Sequence, residues 1–372
     1  MYYFDHSATT PLLPEVSELM DHVNKDIYGN PSSIYSIGRK SRSIIENARK
    51  QIAESISAKS EQIIFTSGGT EANNQVFWSL INKDKNHVVS NVIEHPAVIK
   101  VLEFLENLGL DHDLIDVRKD GIISVDDISK AIKPETCLIS LMLANNEIGT
   151  LQPVEEIVSI AKERDVLVHT DAVQCLGKIK VDVSSLGVDF LSLSAHKFYG
   201  PKGIGILYVK NPEKFSSLII GGGQEKNLRA GTENISAIAG MGLAAETITS
   251  SLDKKTASLI KFEQQLKNGL NNFFKNTIYN GDQSKKLPGL VNTSFPGNRS
   301  SIIMKKLDRA DIAVSNGSAC GSGDIKPSPI LSAIGLDDSM NLSTLRFSFG
   351  SSNTSQQVDY LLNELESILI KE

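Results

Sequence analysis

Short, mainly apolar runs of strand-forming residues alternate with helix-like segments along the first two thirds of this chain. Examples of the apolar runs lie at 63–66, 137–141 and 190–194, and helical patterns such as 154–163 fill several of the gaps. Apolar strands separated by helices are typical of a parallel sheet that is covered on both faces. The alternation therefore predicts an α/β fold with a three-layer, helix–sheet–helix architecture.

The pattern changes after about Ile248, which predicts a second and smaller domain. A long charged segment at 251–275 favours a helix, and fewer strand-like runs follow it. A chain of 372 residues is also longer than a single hydrophobic core usually serves. We therefore expect a large domain at 12–250 and a small α+β domain formed by 1–11 and 251–372.

Composition and charge limit the possible partners and compartment. The net charge of −6 disfavours a general nucleic-acid-binding protein, which would normally be basic. The N-terminus lacks the cationic and apolar stretches of a secretory signal, and we identify no apolar run long enough to span a bilayer. Three cysteines without a C-x-x-C pair do not form a disulfide framework. These features favour a cytoplasmic chain without direct nucleic-acid or membrane partners and without a resident metal site.

Polar residues follow several of the predicted strands directly. In open α/β sheets ligands bind beyond the carboxyl ends of the strands, where residues from separate strands meet. The residues in these positions therefore predict one convergent site, and they are Thr70, His95, Asn145, Asp171, Gln174, His196 and Lys197.

Two of the strand ends suit a phosphate and a cationic ring. Ser67-Gly68-Gly69-Thr70 precedes a predicted helix, whose free N–H groups suit a phosphate, although an ordinary capped turn is the alternative. Asp171 closes an apolar strand, where its carboxylate needs a partner such as a protonated pyridine nitrogen. The alternative for Asp171 is a cap of the following helix, in which we expect Cys175 to lie near the start.

Lys197, Arg346 and Thr232 each have a functional and a structural interpretation. Lys197 stands between an apolar strand and a Gly/Pro-rich loop, where burial would lower its pKa and favour Schiff-base chemistry. Arg346 lies in an apolar strand and needs an anionic partner, which is either a substrate carboxylate or a structural Asp or Glu. Thr232 could donate to a phosphate or belong to a structural turn.

Cys320 differs from the other two cysteines in its surroundings. Cys137 lies in an apolar strand and Cys175 follows Asp171 closely, which favours packing roles. Glycines and serines surround Cys320 from Ser315 to Gly323, and an exposed thiol in such a segment is a candidate for chemistry.

These residues together resemble the cysteine desulfurases, which are pyridoxal-phosphate enzymes of the class V aminotransferase group. The resemblance begins at Tyr3-Phe4-Asp5-His6-Ser7-Ala8-Thr9-Thr10-Pro11 and extends to the last helix. It rests on these further segments in the family's order: Gly29-Asn30-Pro31-Ser32-Ser33, Thr66-Ser67-Gly68-Gly69-Thr70-Glu71, Glu94-His95-Pro96-Ala97-Val98, Asn145-Asn146-Glu147-Ile148-Gly149-Thr150, Asp171-Ala172-Val173-Gln174, Ser194-Ala195-His196-Lys197 and Arg229-Ala230-Gly231-Thr232-Glu233-Asn234. Gly317-Ser318-Ala319-Cys320, with Gly323 and Pro327-Ser328, resembles the subgroup with a long, flexible cysteine loop.

The resemblance implies a fold-type I transferase with a mainly parallel seven-stranded sheet and assigns roles around the cofactor ring. Lys197 should hold pyridoxal phosphate as a Schiff base, and Asp171 should pair with the pyridine nitrogen. His95 should stack on the ring and move protons. Gln174 should bond near the phenolic oxygen, and Asn145 should orient the ring or the substrate.

The resemblance also implies phosphate, substrate and subunit contacts. The expected phosphate ligands within the chain are Gly69, Thr70, Ser194 and His196. Thr232 should reach the phosphate of a neighbouring subunit, which implies a homodimer. Arg346, with Asn30, should bind the carboxylate of L-cysteine.

Cys320 should receive the sulfur as a persulfide while the rest of the substrate leaves as L-alanine. The acceptor of that sulfur stays open, and iron–sulfur assembly on a scaffold protein, transfer-RNA thiolation and DNA sulfur modification are all compatible. A selenocysteine lyase, an aminotransferase and a non-catalytic sulfur-relay subunit are the alternatives, and Cys320 could also serve as a transient iron–sulfur ligand.

Overall fold

A computed structural model describes residues 1–81, 84–317 and 326–370 of the chain. The strands are β1 (Tyr2–Tyr3), β2 (Ile63–Thr66), β3 (His87–Asn91), β4 (Asp111–Ile115), β5 (Thr136–Ser140), β6 (Leu167–Asp171), β7 (Phe190–Ser194), β8 (Gly205–Val209), β9 (Ile278–Tyr279), β10 (Leu290–Ser294), β11 (Ile312–Ala313) and β12 (Thr344–Ser348). The helices are α1 (Pro14–Asp26), α2 (Ser36–Ser55), α3 (Gly69–Trp78), α4 (Pro96–Leu105), α5 (Val125–Ala131), α6 (Val154–Glu163), α7 (Val183–Leu186), α8 (Ile235–Thr249), α9 (Leu252–Phe273), α10 (Ser300–Arg309), α11 (Pro329–Ala333), α12 (Asp338–Asn341) and α13 (Ser355–Ile370).

A seven-stranded, mainly parallel sheet forms the centre of the larger part of the chain. Its strand order is β2-β8-β7-β6-β5-β3-β4. Strand β8 runs antiparallel to both of its neighbours, β7 and β2, and the other pairs are parallel. The predicted α/β fold class is therefore confirmed, and the carboxyl ends of β2, β3, β5, β6 and β7 lie at one edge.

Helices cover both faces of this sheet because its strands are apolar on both sides. In β2, Ile63 and Phe65 belong to a core cluster that includes residues of α1, α2, α6 and α8. Ile64, between them, points to the opposite face and packs with residues of α3 and α4. Successive side chains of a strand alternate between faces, so an apolar run needs a helical layer on each side.

A smaller antiparallel sheet and its helices form a separate hydrophobic cluster. The sheet has the order β12-β10-β9, and β1 pairs in parallel with β11 beside it. Phe4 from the N-terminus packs in this cluster with residues of α9, α10 and α13. This packing agrees with a small domain made from both ends of the chain, and the boundaries at residues 11 and 251 stay a prediction.

The segment around Cys175 is not helical. Cys175 lies in a series of turns that ends at Ile179, so the expectation of a helix there is wrong. Gly177 has φ 80° in this segment, a left-handed backbone that does not continue a helix.

Over residues 1–81, 84–317 and 326–370 no single helix is long and apolar enough to cross a membrane, although the bent pair α8–α9 meets the length and composition criteria together.

A buried ion pair connects α2 to the turn at 224–227. Both guanidinium nitrogens Nη1 and Nη2 of Arg49 donate to the carboxylate of Glu225, at 2.7 and 2.6 Å. The backbone N–H of Phe65 in β2 donates to the same carboxylate at 2.9 Å. Glu225 itself has φ 44°, so the pair stabilises a turn whose backbone is unfavourable for a side-chain-bearing residue.

We expect Arg49→Met to lower the free energy of unfolding by about 3–5 kcal/mol, because it leaves the Glu225 carboxylate buried without its cation. Lys50→Met is the matched control on the same helix, since the ion pair of Lys50 with Glu54 is exposed and its loss should cost less than about 1 kcal/mol. Chemical denaturation followed by circular dichroism measures both values, and equal losses in the two variants would contradict a special role for the buried pair.

Candidate active site

A cavity of about 410 Å³ opens at the carboxyl edge of the large sheet. The structure brings nine of the predicted site residues together in its wall: Gly69, Thr70, His95, Asp171, Gln174, Ser194, His196, Lys197 and Arg346. These residues come from four strand ends of the large sheet and from β12 of the small one. The cavity therefore lies where the two parts of the chain meet.

Lys197 enters the cavity from the turn that follows β7. Its Nζ donates to the backbone oxygens of Ser7 at 2.6 Å and Ala8 at 2.8 Å. Burial and, to a smaller extent, Arg346 lower the pKa of Lys197 to about 8, whereas Asp5 and Asp171 act in the opposite direction. The neutral, nucleophilic form of this amine is therefore far more populated near neutral pH than in an ordinary lysine.

Asp171 ends β6 with its carboxylate almost fully buried. One oxygen, Oδ2, accepts from Nδ2 of Asn73 at 2.7 Å, and the other, Oδ1, accepts from the backbone N–H of Val173 at 3.0 Å. Within the described part of the chain no Lys, Arg or His forms an ion pair with it. The carboxylate thus has neutral hydrogen-bond donors and room for a cationic partner in the cavity.

The N-terminus of the ten-residue helix α3 lies at the same edge. A Cβ atom placed on Gly69 would approach Cγ2 of Val173 to 2.7 Å, so the close packing of this turn requires glycine. Thr70, Ser194 and His196 surround it in the cavity wall. Free N–H groups of a helix start, together with hydroxyls, are suited to binding a phosphate.

His95 caps α4, and this contact fixes its tautomer. Its Nδ1 accepts a hydrogen bond from the backbone N–H of Ala97 at 3.0 Å. Burial lowers the pKa of His95, so the ring is neutral near neutral pH and Nε2 carries its proton. His95 therefore offers the cavity an N–H donor at Nε2.

Gln174 is held in one orientation by a buried lysine. Nζ of Lys178 donates to Oε1 of Gln174 at 3.0 Å, and an ammonium group can only donate. Nε2 of Gln174 is thus the donor side of the amide, and it donates to the backbone oxygen of Ser7 at 3.0 Å.

Arg346 lies in β12 and already has a carboxylate partner in the chain. Its Nη2 contacts Oδ1 of Asp5 at 2.6 Å, and its Nη1 donates to the backbone oxygen of Asn146 at 2.9 Å. Asp5 is thus the structural acidic partner of Arg346 that the sequence analysis gave as one of two alternatives. The Nε of Arg346 is buried without a partner in the described residues, so one donor remains available.

Asn145 does not line this cavity. Its Oδ1 accepts from the backbone N–H groups of Glu147 at 2.8 Å and Ile148 at 3.0 Å, and its Nδ2 donates to the backbone oxygen of Ile93. The side chain thus organises the loop after β5. The neighbouring Asn146 lines the cavity instead, and its buried Oδ1 has no partner in the described residues.

Asn30 and Thr232 lie together in a different cleft, of about 310 Å³. This cleft is formed by the segment after α1 and the segment that enters α8. Within the single chain, neither residue belongs to the cavity around Lys197. Their predicted roles toward substrate and phosphate stay predictions.

Cys320 lies outside the described residues. The chain that leads to it is described up to Gly317, and both Ser315 and Gly317 line the cavity. The backbones of Ser315 and Arg346 exchange two hydrogen bonds, at 2.6 and 3.3 Å, which fix this approach beside Arg346.

The residues present fit pyridoxal phosphate, the cofactor that the family resemblance implies. A partly neutral buried amine, a carboxylate free to accept from a cation and a glycine-bearing helix N-terminus match the aldehyde, the ring nitrogen and the phosphate respectively. Each of these groups belongs to the wall of one cavity.

Sequence reasoning missed three polar residues that complete the site. Asn73 is three positions beyond Thr70 on α3, and that helical spacing placed it on the same face. Asp5 and Lys178 gave weaker signals, because an acidic residue after a short strand and a lysine in a turn are common on surfaces. The partner of Asp5 is Arg346, which is distant in sequence. The role of Lys178 depends on its burial, which the sequence does not show.

Known proteins resemble this chain over nearly its full length. The profile of a family described as "Aminotransferase class-V" matches residues 2–361. A protein named cysteine desulfurase IscS, from Dictyoglomus turgidum (strain DSM 6724 / Z-1310), is 45% identical and covers 99% of this chain and 94% of its own. A solved structure named NifS-like protein matches with a TM-score of 0.94 and 34% identity, covering 100% of both chains. Another, described as SspA in complex with cysteine, matches with a TM-score of 0.85 and 34% identity over 95% of this chain and 100% of its own.

The lowered pKa of Lys197 can be measured by competitive acetylation of the cofactor-free protein. We expect its acetylation to rise with pH through a midpoint near 8, because only the neutral amine reacts and burial disfavours the charged form. Peptide mass spectrometry reports the labelling, with exposed Lys202 of the same loop as the internal reference. A midpoint near the ordinary lysine value of 10.5 would contradict this description of the site.

Proposed function

Because the chain belongs to the class V aminotransferase family, and within it to the cysteine desulfurases, we propose that it removes sulfur from L-cysteine with the help of pyridoxal phosphate. The products are L-alanine and a persulfide on Cys320, which passes its sulfur to an acceptor such as an iron–sulfur scaffold protein. The observation that carries this proposal is the meeting of Lys197, Asp171 and Arg346 in one cavity.

Three parts of the cavity would hold the cofactor. Lys197 supplies the amine for its aldehyde, and the α3 N-terminus with Ser194 and His196 supplies donors for its phosphate. Asp171 accepts from the ring nitrogen and favours its protonated form. When bound, pyridoxal phosphate supplies an electron sink that makes the bonds to the substrate α-carbon easier to break.

Arg346 would orient the substrate through its carboxylate. The Nε of Arg346 has no partner in the described residues, and Asp5 and Asn146 hold the guanidinium plane in place. A guanidinium fixed by two other contacts loses little conformational entropy when it binds an anion. The unpartnered amide oxygen of Asn146 could accept from the substrate amino group beside it.

Two groups could move protons during the reaction. Lys197 would serve as a buried base whenever its amine is free, because its pKa is lowered toward neutrality. His95 holds its proton at Nε2 while Ala97 occupies Nδ1. His95 therefore first acts as a donor, and it can accept a proton from a thiol only after Nε2 has given up its own.

The sulfur transfer is balanced without an external oxidant. The thiolate of Cys320 forms an S–S bond as the Cβ–S bond of the substrate breaks. The electron pair of the Cβ–S bond stays with the carbon fragment, which takes up protons and leaves as alanine. Cys320 follows Gly317 by three residues, and three residues of chain span at most about 11 Å.

The proposal also includes a homodimer in a reducing, cytoplasmic compartment. Tyr28 and Ile34, before and after Asn30, and Ile220, before Thr232, are 77%, 89% and 89% exposed in the single chain. Tyr28 lines the cleft that contains Asn30 and Thr232, and exposed apolar side chains such as these favour burial by a partner. A second copy would cover them and bring its Thr232 toward the phosphate end of the Lys197 cavity.

We expect Cys320→Ala to reduce alanine and sulfide formation from L-cysteine by at least about 100-fold, because the nucleophile of the sulfur transfer is lost. The absorbance of the Lys197-bound cofactor should persist, since Cys320 does not hold it. Cys137→Ala is the control, because Cys137 is buried in β5 with a pKa raised to about 11 and should leave turnover within about twofold of the parent.

Undiminished desulfuration by Cys320→Ala would remove the thiol from the mechanism and favour an enzyme of the same family with another outcome. Loss of the cofactor absorbance in the parent protein, even with added pyridoxal phosphate, would instead favour the sulfur-relay alternative. Parallel assays with L-selenocysteine and with an amino-group acceptor distinguish the selenocysteine lyase and aminotransferase alternatives.

A hybrid of two singly substituted chains tests whether Thr232 acts across the dimer. In a Lys197→Ala/Thr232→Ala hybrid, one site would combine Lys197 of one chain with Thr232 of the other. We expect that site to bind pyridoxal phosphate with parental affinity, whereas the Thr232→Ala homodimer should bind it about 10–100-fold more weakly, the usual loss for a hydrogen bond to a charged group. Differential affinity tags isolate the hybrid, and a hybrid no better than the Thr232→Ala homodimer would contradict a contact across subunits.

A further inference from the structure

A second cavity, of about 360 Å³, lies beside Lys197 and is lined by basic side chains. Four lysines line it: Lys178, Lys197, Lys254 and Lys255. Among the described residues that form its wall there is no Asp or Glu. Its volume falls within the range of about 300–1,000 Å³ that is usual for small-molecule sites.

The remainder of the wall is largely apolar. Leu259 and Phe262 of α9 contribute to it, and Phe349 contributes from the segment after β12. A wall that combines apolar side chains with a few convergent polar groups of one charge suits an amphipathic ligand of the opposite charge. Charge and apolar surface together thus define the ligand chemistry more narrowly than either does alone.

Lys178 is the most deeply buried of the four lysines, with 8% of its surface exposed. Its Nζ donates to the amide oxygen of Gln174 at 3.0 Å, and the described residues provide no carboxylate for it. Burial, with smaller contributions from Lys197 and Arg346, lowers the pKa of Lys178 to about 7, although Cys175 acts in the opposite direction. A buried amine without an anionic partner is stabilised in its charged form when an anion binds next to it.

His6 adds a second buried polar group to the same wall. It is 1% exposed, and neither Nδ1 nor Nε2 forms a hydrogen bond of good geometry in the described residues, although the backbone of Tyr3 lies close enough to act on its pKa. Burial lowers its pKa to about 4, so its ring is neutral and keeps one N–H donor. Buried polar atoms without a partner are rare in proteins and mark sites where a ligand or water completes the hydrogen bonding.

Lys254 and Lys255 begin α9 at the more exposed side of the cavity. Lys255 is partly buried, which lowers its pKa, and Glu15 of α1 acts in the opposite direction. Glu15 is not part of the cavity wall. The two lysines can therefore attract an anion from solvent, and Lys178 and His6 can receive it deeper in the cavity.

From these observations we propose that the cavity is a binding site for a small organic carboxylate with an apolar body, distinct from the cavity that contains Asp171 and Arg346. The carboxylate contacts the lysine side chains, and the apolar body packs against Phe262 and Phe349. Because Lys197 lines both cavities, a ligand here lies next to the amine proposed to hold the cofactor. This inference goes beyond the proposed desulfurase activity and does not require it.

Binding of benzoate to the full-length protein, loaded with pyridoxal phosphate and freed of excess cofactor, tests this inference by isothermal titration calorimetry. Benzamide is the neutral probe of the same shape. We expect benzoate to bind at least about tenfold more tightly than benzamide. We also expect Lys255→Met to weaken benzoate binding about tenfold, and Lys254→Met, a variant of a more exposed lysine, to weaken it in the same direction.

Lys261→Met is the matched control, because Lys261 lies on the same helix α9 but outside the cavity wall, and it should bind benzoate as the parent does. Thermal unfolding of each variant verifies that it is folded before titration. Absence of benzoate binding, equal affinity for benzamide, or unchanged benzoate affinity in both Lys254→Met and Lys255→Met would each overturn the inference.

Discussion

Charged groups that the chain itself does not fully neutralise surround the cavity at the carboxyl edge of the large sheet. Lys197 contacts two backbone oxygens, and Asp171 accepts from an amide and a backbone N–H. Burial of charge without a counter-charge is costly. The proposed cofactor, with an aldehyde, a ring cation and a phosphate, would compensate these groups.

The first ten residues of the chain connect this cavity to the small domain. Phe4 packs in the small hydrophobic cluster, whereas Asp5 binds Arg346, and the Ser7 oxygen accepts from both Lys197 and Gln174. Thr10 adds hydrogen bonds to the turn that contains Lys197, since its hydroxyl donates to the His196 oxygen and accepts from the Tyr199 N–H. A short segment thus fixes Lys197 and Arg346 relative to each other.

The sheet and most of its site could be predicted from sequence because both depend on local patterns. Apolar runs indicate strands, and the carboxyl ends of parallel strands share an edge, so Asp171 and Lys197 could be assigned to one site before any contact was known. The sequence patterns did not predict helices α1 and α2. Their position against α8 depends on tertiary packing.

Contacts between distant segments could not be predicted in this way. Asp5 and Arg346 are separated by 341 positions, and the sequence alone left a substrate and a structural carboxylate as equal alternatives for Arg346. Asn145 follows a strand end as its neighbours in the site do, yet its side chain turns inward to hold the loop. A position after a strand therefore predicts proximity to the site, whereas side-chain direction depends on local hydrogen bonding.

The central claim is that the sulfur of L-cysteine moves to Cys320 in a site organised by Lys197, Asp171 and Arg346. Mass spectrometry of the loaded protein after treatment with one equivalent of L-cysteine, followed by alkylation and digestion, tests it most directly. The account predicts the mass of one additional sulfur atom on the peptide that contains Cys320, together with a matching amount of alanine. Alanine formation with the additional sulfur on Cys137 or Cys175, or on no cysteine at all, would contradict it.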